Sequence, residues 1–387
     1  MTFAYAHYYL LLVPQMEHSI GALPKSRNGV VYFMPSTLEE IAKHAGVSRS
    51  TVSRVMNDHP SVDDETRARV LSVAERLNYQ PNIAARSLAA GRTRILGLVI
   101  PMGVSALFTD PYFPLLIQGI SSACSANNHS VMLWIAEPEY ERRTIRQALQ
   151  GGMIDGVILA SALMDDPMLE ALRKRGLPFI LVGRHPTDDN LSYVDVDNRS
   201  AARNMVSYLI RLGYERIATI TGPRNMIAGA DRLQGYLNAL RERRVAHDTD
   251  LIVEADFTEE GGYVAMQRLL PFAPDAVFAA SDAMAVGALR ALRDAGKRVP
   301  DDIAITGFDD VPFAARTDPP LTTVRQPIQP MGAVAAETLI SMISHPDGQP
   351  HRVLLPTELI IRASCGSNLG KGPSSKGMAY TDKRPAL

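Results

Sequence analysis

Five polar side chains between positions 49 and 57 are spaced to act together. Arg49, Ser50, Ser53, Arg54 and Asn57 fall at i, i+1, i+4, i+5 and i+8, which places them on one stripe of a helix. Two guanidiniums, three neutral hydrogen-bonding groups and no acid before Asp58 suit a polyanionic groove rather than bond-making chemistry. Signatures of bond-making are missing from the chain: there is no GxxxxGK, no GxGxxG after a strand and no GxSxG elbow. The nine histidines show no ligand spacing, and no metal or cofactor is called for. Cys124 and Cys365 stand far apart, which excludes a disulfide framework and a zinc cluster and fits a reducing cytosol.

The elements that must present this stripe are legible in its neighbours. Thr37 with Glu40 three residues later forms a capping-box pattern, and Leu38, Ile41, Ala42 and Ala45 share one face of a short helix. Gly46 interrupts it and can take the positive φ that a tight turn between helices needs. Ser48 can cap a second helix, in which Val52 and Val55 point back to the first. A third helix is expected over 63–77, with Val70, Leu71, Val73, Ala74 and Leu77 toward the core and Asp63, Asp64 and Glu65 at its positive end. Tyr79 and Pro81 end it. The segment 82–90, closed by Gly91, is helical in pattern but too short to be stable alone. The pattern favours a helix-turn-helix over an ordinary amphipathic pair with a solvated face.

Composition bounds the rest. A chain of 387 residues is too long for one ordinary core, and 46% hydrophobic with 21% charged is globular composition. A formal net charge of −1 means that any nucleic-acid surface must be local. From 34 to 94, nine Lys/Arg stand against seven acids, a balance of +2, and the acids avoid the 47–57 stripe. Residues 3–13 are apolar, but no basic region precedes them and they are too short to span a bilayer. Met34 stands just ahead of the first capped helix, so residues 1–33 are expected to be an over-extension of the start or a disordered tail.

From residue 94 the pattern alternates buried apolar runs with amphipathic helices. Strands are expected at 95–100, 131–136, 156–160 and 179–182, with helices at 113–127, 142–150 and 167–175. A short segment at 193–197 opens a second series: helices at 199–212, 230–243, 259–270 and 282–295, and strands at 217–221, 251–254, 276–280 and 303–307. A final helix is expected at 328–344 and a closing strand at 353–361. Such alternation implies parallel sheets wrapped by right-handed crossovers, in two doubly wound units. Ligands bind such sheets outside the carboxyl ends of the strands, here between the units. After Arg362 the Gly-, Ser- and Lys-rich tail reads as disordered.

With these residues in view, the chain closely resembles the lactose-repressor (LacI/GalR-type) family of bacterial transcription regulators over about 36–363. The resemblance is carried by TLEEIAKHAGVSRSTVSRVMN, LNYQPNIAARSLAAGRT, DPYFPLLIQGI, YVDVDN, GADRLQGY, SDAMAVGALR, ITGFDD and PPLTTVRQP. It implies an α/β core of two doubly wound parallel-sheet lobes, periplasmic-binding-protein-like, preceded by an all-α helix-turn-helix headpiece. The expected division is an extension at 1–33, the headpiece at 34–81, a hinge helix at 82–93, a core at 94–362 and a disordered tail at 363–387. Lobe 1 would take 94–195 with 328–350, and lobe 2 would take 196–325 with 353–362.

The resemblance also implies roles. Arg49, Ser50 and Arg54 match base-reading positions. Thr37, Ser48, Thr51, Ser53, Asn57, Thr66, Tyr79 and Asn82 match positions on the DNA backbone, which fix orientation rather than read sequence; a hydroxyl such as Ser48 could equally cap its own helix. Leu88 matches an apolar wedge in the minor groove, with Ala85 small where two hinge helices approach. Pro111, Tyr112, Gly183, Arg184, Arg232, Phe257, Ser281 and Asp309 match the effector pocket. Ser281 stands where many relatives carry Asn, and Gly183 replaces a carboxylate. Arg232 could instead pair with Asp231 or Asp256, and Phe257 could be core.

The implied function is a cytoplasmic, homodimeric repressor that binds a palindromic operator of two half-sites and is released by a small carbohydrate. A purine or other metabolite acting as corepressor is the alternative within the family, and a sugar-binding transport component is a more distant one. The 37–91 headpiece argues against the latter.

Overall fold

The headpiece elements follow from local chemistry. In the computed structural model, Thr37 and Glu40 form the reciprocal capping box of α1 (Leu38–Ala45), with Thr37 N–H donating to Glu40 Oε2 at 2.9 Å and Glu40 N–H to Thr37 Oγ1 at 3.3 Å. Gly46 closes that helix at φ 65°. Ser48 caps α2 (Arg49–Met56) and Asp63 caps α3 (Asp64–Arg76). Ile41, Val52, Val55, Val70 and Val73 form the shared core, with Leu38, Leu77 and Tyr79 packed against it. Leu71 does not join it: it is 47% exposed, because the position after Val70 lies about 100° further round the helix.

The described residues are 37–79, 92–100, 107, 109–135, 152–161, 163–164, 166–188, 190–245, 248–346 and 348–367. They belong to two units, 1–86 and 87–387. Asn82, Ala85, Leu88, the extension 1–33 and the helix expected at 142–150 lie outside the described residues.

The second unit holds two parallel sheets. Lobe 1 orders its strands β11-β5-β4-β3-β1-β2, formed by β1 (Ile95–Ile100), β2 (Ser130–Ile135), β3 (Gly156–Ala160), β4 (Phe179–Val182), β5 (Tyr193–Val196) and β11 (Arg352–Leu355). Its described helices are α4 (Tyr112–Ala126), α5 (Pro167–Arg175) and α10 (Ile328–Ser344). Gly119 and Gly332 let α4 and α10 touch backbone to backbone, since a Cβ at Gly119 would strike the Gln329 carbonyl.

Lobe 2 orders β7-β6-β8-β9, from β6 (Ile217–Thr221), β7 (Ile252–Glu254), β8 (Ala276–Ala279) and β9 (Ala304–Thr306). Around them pack α6 (Asn198–Arg211), α7 (Ile227–Glu242), α8 (Glu259–Leu269) and α9 (Asp282–Asp294). An antiparallel pair of β10 (Thr323–Arg325) and β12 (Glu358–Ile360) joins this lobe.

Two expectations are corrected. The run 353–361 is not one strand of lobe 2. Pro356 interrupts it, and the chain divides into β11, which pairs in parallel with β5 of lobe 1, and β12, which pairs with β10. The tail does not lose order at 363: residues Ala363–Cys365 form a 3-10 turn, and Ser364 and Cys365 are buried. Ser364 accepts from Thr322 N–H at 2.8 Å and donates to the Ile305 carbonyl at 2.6 Å, so the turn is tied to lobe 2.

Candidate DNA-reading face and effector cleft

On the headpiece, α2 buries Val52 and Val55 and leaves Arg49, Ser50, Arg54 and Asn57 exposed, with Thr51 and Ser53 half-buried. The stripe is therefore formed as spaced. Its members are not all unoccupied, however. Arg49 Nε lies 2.6 Å from Glu39 Oε1 on α1, both well exposed. Ser48 Oγ accepts from Thr51 N–H at 3.1 Å and shares hydrogen bonds with the hydroxyls of Ser50 (2.7 Å) and Thr51 (2.8 Å). Among the described residues, no acid pairs with Arg54. Thr66 is fixed at the start of α3 by its N–H donating to Asp63 Oδ1, a bond that holds the Asp63 carboxyl below its usual range. Tyr79 is half-buried against the headpiece core. Sequence reasoning missed Arg67, which donates to Asp58 Oδ1 (2.6 Å) and the His59 carbonyl (2.7 Å) and so ties the loop after α2 to α3.

In the second unit, a cleft partly open to solvent lies between the lobes. Lobe 1 supplies Tyr112, Ser161, Gly183, Arg184 and Asp195, and lobe 2 supplies Asn198, Met226, Ile227, Ala228 and Arg232, with Gln326 at a crossing between lobes. These positions follow the rule for doubly wound sheets: Ser161, Gly183 and Asp195 sit at the carboxyl ends of β3, β4 and β5. The lobes also touch directly here, with Met164 N–H donating to the Asn225 carbonyl at 2.8 Å.

Arg232 is the hub. Its Nε donates to Asn198 Oδ1 at 2.9 Å and its Nη1 to the Ala280 carbonyl at 2.5 Å; Nη1 also lies 3.5 Å from Asp309 Oδ1. The Phe308 ring lies 3.7 Å beneath the guanidinium and the Phe257 ring 5.8 Å away. Gln326 Nε2 donates to Asp309 Oδ1 at 2.5 Å. Beside this group, Arg184 contacts Asp195 at 3.4 Å and abuts Asp231 across the lobes, while Arg199 donates to Asp231 at 2.8 Å. Asp231 Oδ2 is buried and accepts no aligned hydrogen bond, so its contact with Arg184 is one of charge.

Burial sets the electrostatics. It pushes the Asp195 carboxyl up to about 6, against the pull of the Val196 N–H, Arg184 and Arg232. It pushes Asp309 up to about 7, opposed by Arg232 and reinforced by Asp110. Asp282, accepting from Thr323 Oγ1 at 2.5 Å and from Val311 N–H at 3.0 Å, is raised well above its ordinary value by burial and by Asp309. Tyr112 and Asp110 are raised for the same primary reason. Asp309 and Phe257 hold φ of 123° and 66°, conformations that cost a non-glycine residue about 1–3 kcal/mol and collect at ligand-handling loops.

Of the eight residues matched to the pocket, Tyr112, Gly183, Arg184 and Arg232 line this cleft. Asp309 stands behind Arg232. Phe257 does not line the cleft: its ring covers Gly222, where a Cβ would collide with it. Ser281 is buried and committed to capping α9 through Met284 N–H at 3.2 Å. Pro111 precedes α4 outside the lining. Arg232 pairs with neither Asp231 nor Asp256, because adjacent helical residues point about 100° apart and Asp231 faces Arg184 and Arg199 instead. Missed were Asp195, Asn198, Asp231 and Gln326. The signal for Asp195 was present, as a carboxylate within the otherwise apolar strand YVDV.

Residues 37–82 match the model of bacterial regulatory proteins of the lacI family, and 206–365 match a periplasmic binding protein-like domain. The HTH-type transcriptional regulator CelR of Thermobifida fusca is 40% identical over 332 residues, which cover 85% of this chain and 98% of that protein. The chain belongs to the lacI family. As a lacI-family protein it is a DNA-binding transcriptional regulator. Solved lacI-family structures share its fold. A CelR–cellobiose complex superposes with TM-score 0.69 at 38% identity over 85% of this chain and 99% of that one. The lac repressor dimer bound to operator superposes with TM-score 0.76 at 26% identity over 86% and 99%. Among the described residues of this lacI-family chain, no helix is long and apolar enough to cross a membrane.

Proposed function

We propose that this regulator is a cytoplasmic repressor, homodimeric on a two-half-site operator, and that a small carbohydrate in the cleft releases it. The observation that carries the effector reading is the composition of the cleft: hydrogen-bonding side chains from both lobes converge there, and Arg184 of lobe 1 reaches Asp231 of lobe 2. A polyhydroxyl ligand engaging Asp195, Asn198, Arg232 and Gln326 would change how firmly the lobes are held together. Placement of the two headpieces in a dimer depends on the lobes, so sugar and operator affinities are linked reciprocally. The likeness to CelR, captured with cellobiose, supports the ligand class.

On DNA, Arg54 and Arg49 read base edges with Ser50, the former able to fork onto guanine. Thr37, Ser48, Thr51, Ser53, Asn57, Thr66, Tyr79 and Asn82 orient the headpiece on phosphates, and Leu88 wedges the minor groove beside Ala85.

The test is a thermal-shift screen of neutral sugars on the full chain, followed by operator binding at fixed salt with each hit. Ligand at 100 times its Kd adds about 2.7 kcal/mol of stability. Weakened operator binding supports release by an inducer. Strengthened binding replaces it with a corepressor.

A further inference from the structure

The guanidiniums of the cleft are already committed. Among the described lining residues the cations are Arg184 and Arg232. Arg184 is held between Asp195 and Asp231, and Arg232 by Asn198, the Ala280 carbonyl and Asp309. Arg199, the next cation outward, is bound to Asp231. These three cations are matched against four carboxylates, since Asp110 also lies close enough to feel Arg232. A ligand phosphate or carboxylate would have to strip an arginine from its carboxylate, which leaves a buried charge uncompensated. Failing that, it would sit beside Asp195 and be repelled. Asp195 Oδ1 is filled by the Val196 N–H and Asn198 Nδ2, so what the cleft still offers is matched to hydroxyl groups: the remaining lone pair of Asp195 Oδ2, the carbonyl and second amide hydrogen of Gln326, and the hydroxyls of Tyr112 and Ser161.

We propose that the cleft selects uncharged polyhydroxyl ligands and excludes the acidic and phosphorylated counterparts of the same sugar. This rests on the carbohydrate-effector reading above and narrows it to a charge class. Asp195 is the specificity-determining residue. It occupies Arg184 from within the cleft, so neutralising it frees one face of that guanidinium for an anion.

The experiment is titration calorimetry on the full chain at pH 8 with matched pairs: glucose against glucuronate and glucose 6-phosphate, and cellobiose against cellobiose 6′-phosphate. At that pH Asp195 and Asp309, raised to about 6 and about 7, are both ionised. Each anionic member is expected to bind at least about tenfold more weakly than its neutral partner. Asp195→Asn is expected to narrow that ratio by about tenfold; should this variant fail to fold, the wild-type pairs decide alone. Anionic members binding as tightly as neutral ones, or more tightly, would overturn the charge selection while leaving the carbohydrate reading standing. Binding of no saccharide in either series, together with no hit in the thermal-shift screen of neutral sugars, would overturn both.

Discussion

The Arg232 guanidinium and the Asp309 carboxylate lie 3.5 Å apart with both side chains buried, and each is held by a second neutral partner, Asn198 for the arginine and Gln326 for the carboxylate. A charge pair in this setting contributes less net stability than its distance suggests, but removing one member strands the other. Arg232→Met should therefore lower unfolding free energy by up to about 3–5 kcal/mol in urea denaturation at pH 9, and by less at neutral pH, where Asp309 takes up a proton. A loss under about 1 kcal/mol would mean that solvent reaches Asp309 and that the site is not closed as described.

The raised carboxyl of Asp309 has a pH consequence with a definite sign. Its folded value is about 7, against about 4 in the unfolded chain. Between those values the folded protein holds a proton that the unfolded chain has released, so this group's contribution to stability falls as pH rises from about 4 to 7 and is level above. Arg232, Asp110, Asp282 and Gln326 are the groups that face it. The difference in unfolding free energy, wild type minus Asp309→Asn, should decline across that window. A pH-independent difference would show that the carboxyl titrates normally. Asp195 adds a shift of the same sign, complete by about pH 6.

Ser48 has two possible duties, and charge separates them. Its hydroxyl accepts from Thr51 N–H, so Ser48→Ala should cost about 1 kcal/mol of α2 stability, read by hydrogen exchange of the α2 amides. Ser48→Asp keeps the cap but places a negative charge beside the stripe proposed to face DNA. It should preserve α2 protection and weaken operator binding. If both variants bind operator as the wild type does, Ser48 is a cap and nothing more.

The Arg49–Glu39 pair opposes the DNA role proposed for Arg49, because the guanidinium must leave Glu39 to reach a base. Exposed pairs of this kind are worth about 0.2–1 kcal/mol. Glu39→Gln should thus raise operator affinity, by no more than about fivefold. Arg54 has no such competitor among the described residues, and Arg54→Ala should relax discrimination at one base pair by about 1–3 kcal/mol. Competition binding with single-base operator variants would read both. Unchanged discrimination in the Arg54 variant would remove it from the base-reading set.

Features encoded within a few residues were legible in the sequence. The capping box at Thr37 and Glu40, the turn at Gly46, the cap at Ser48 and the inward pair Val52 and Val55 all depend on spacings shorter than three helical turns, and all are formed. So was the alternation of strands and helices that makes two parallel sheets, because most buried strands are apolar runs such as ILGLVI and GVILA, with threonine or a single aspartate in the others. The division of 352–360 was within reach as well, since Pro356 marks the break between β11 and β12.

Only the tertiary structure decided which polar groups meet. Asp195, Asn198, Asp231, Arg232, Asp309 and Gln326 are scattered over more than a hundred positions, and they converge because strand order and three crossings between lobes bring their loops to one place. The sequence could name Arg232 and Asp309 by resemblance, but not that they face each other, nor that Asp231 turns to Arg184. It could not tell that Ser281 is spent on a helix cap or that Phe257 covers Gly222. Periodicity reports which face of an element is buried; it carries no information about what lies across from that face, and the charge balance of the cleft is decided there.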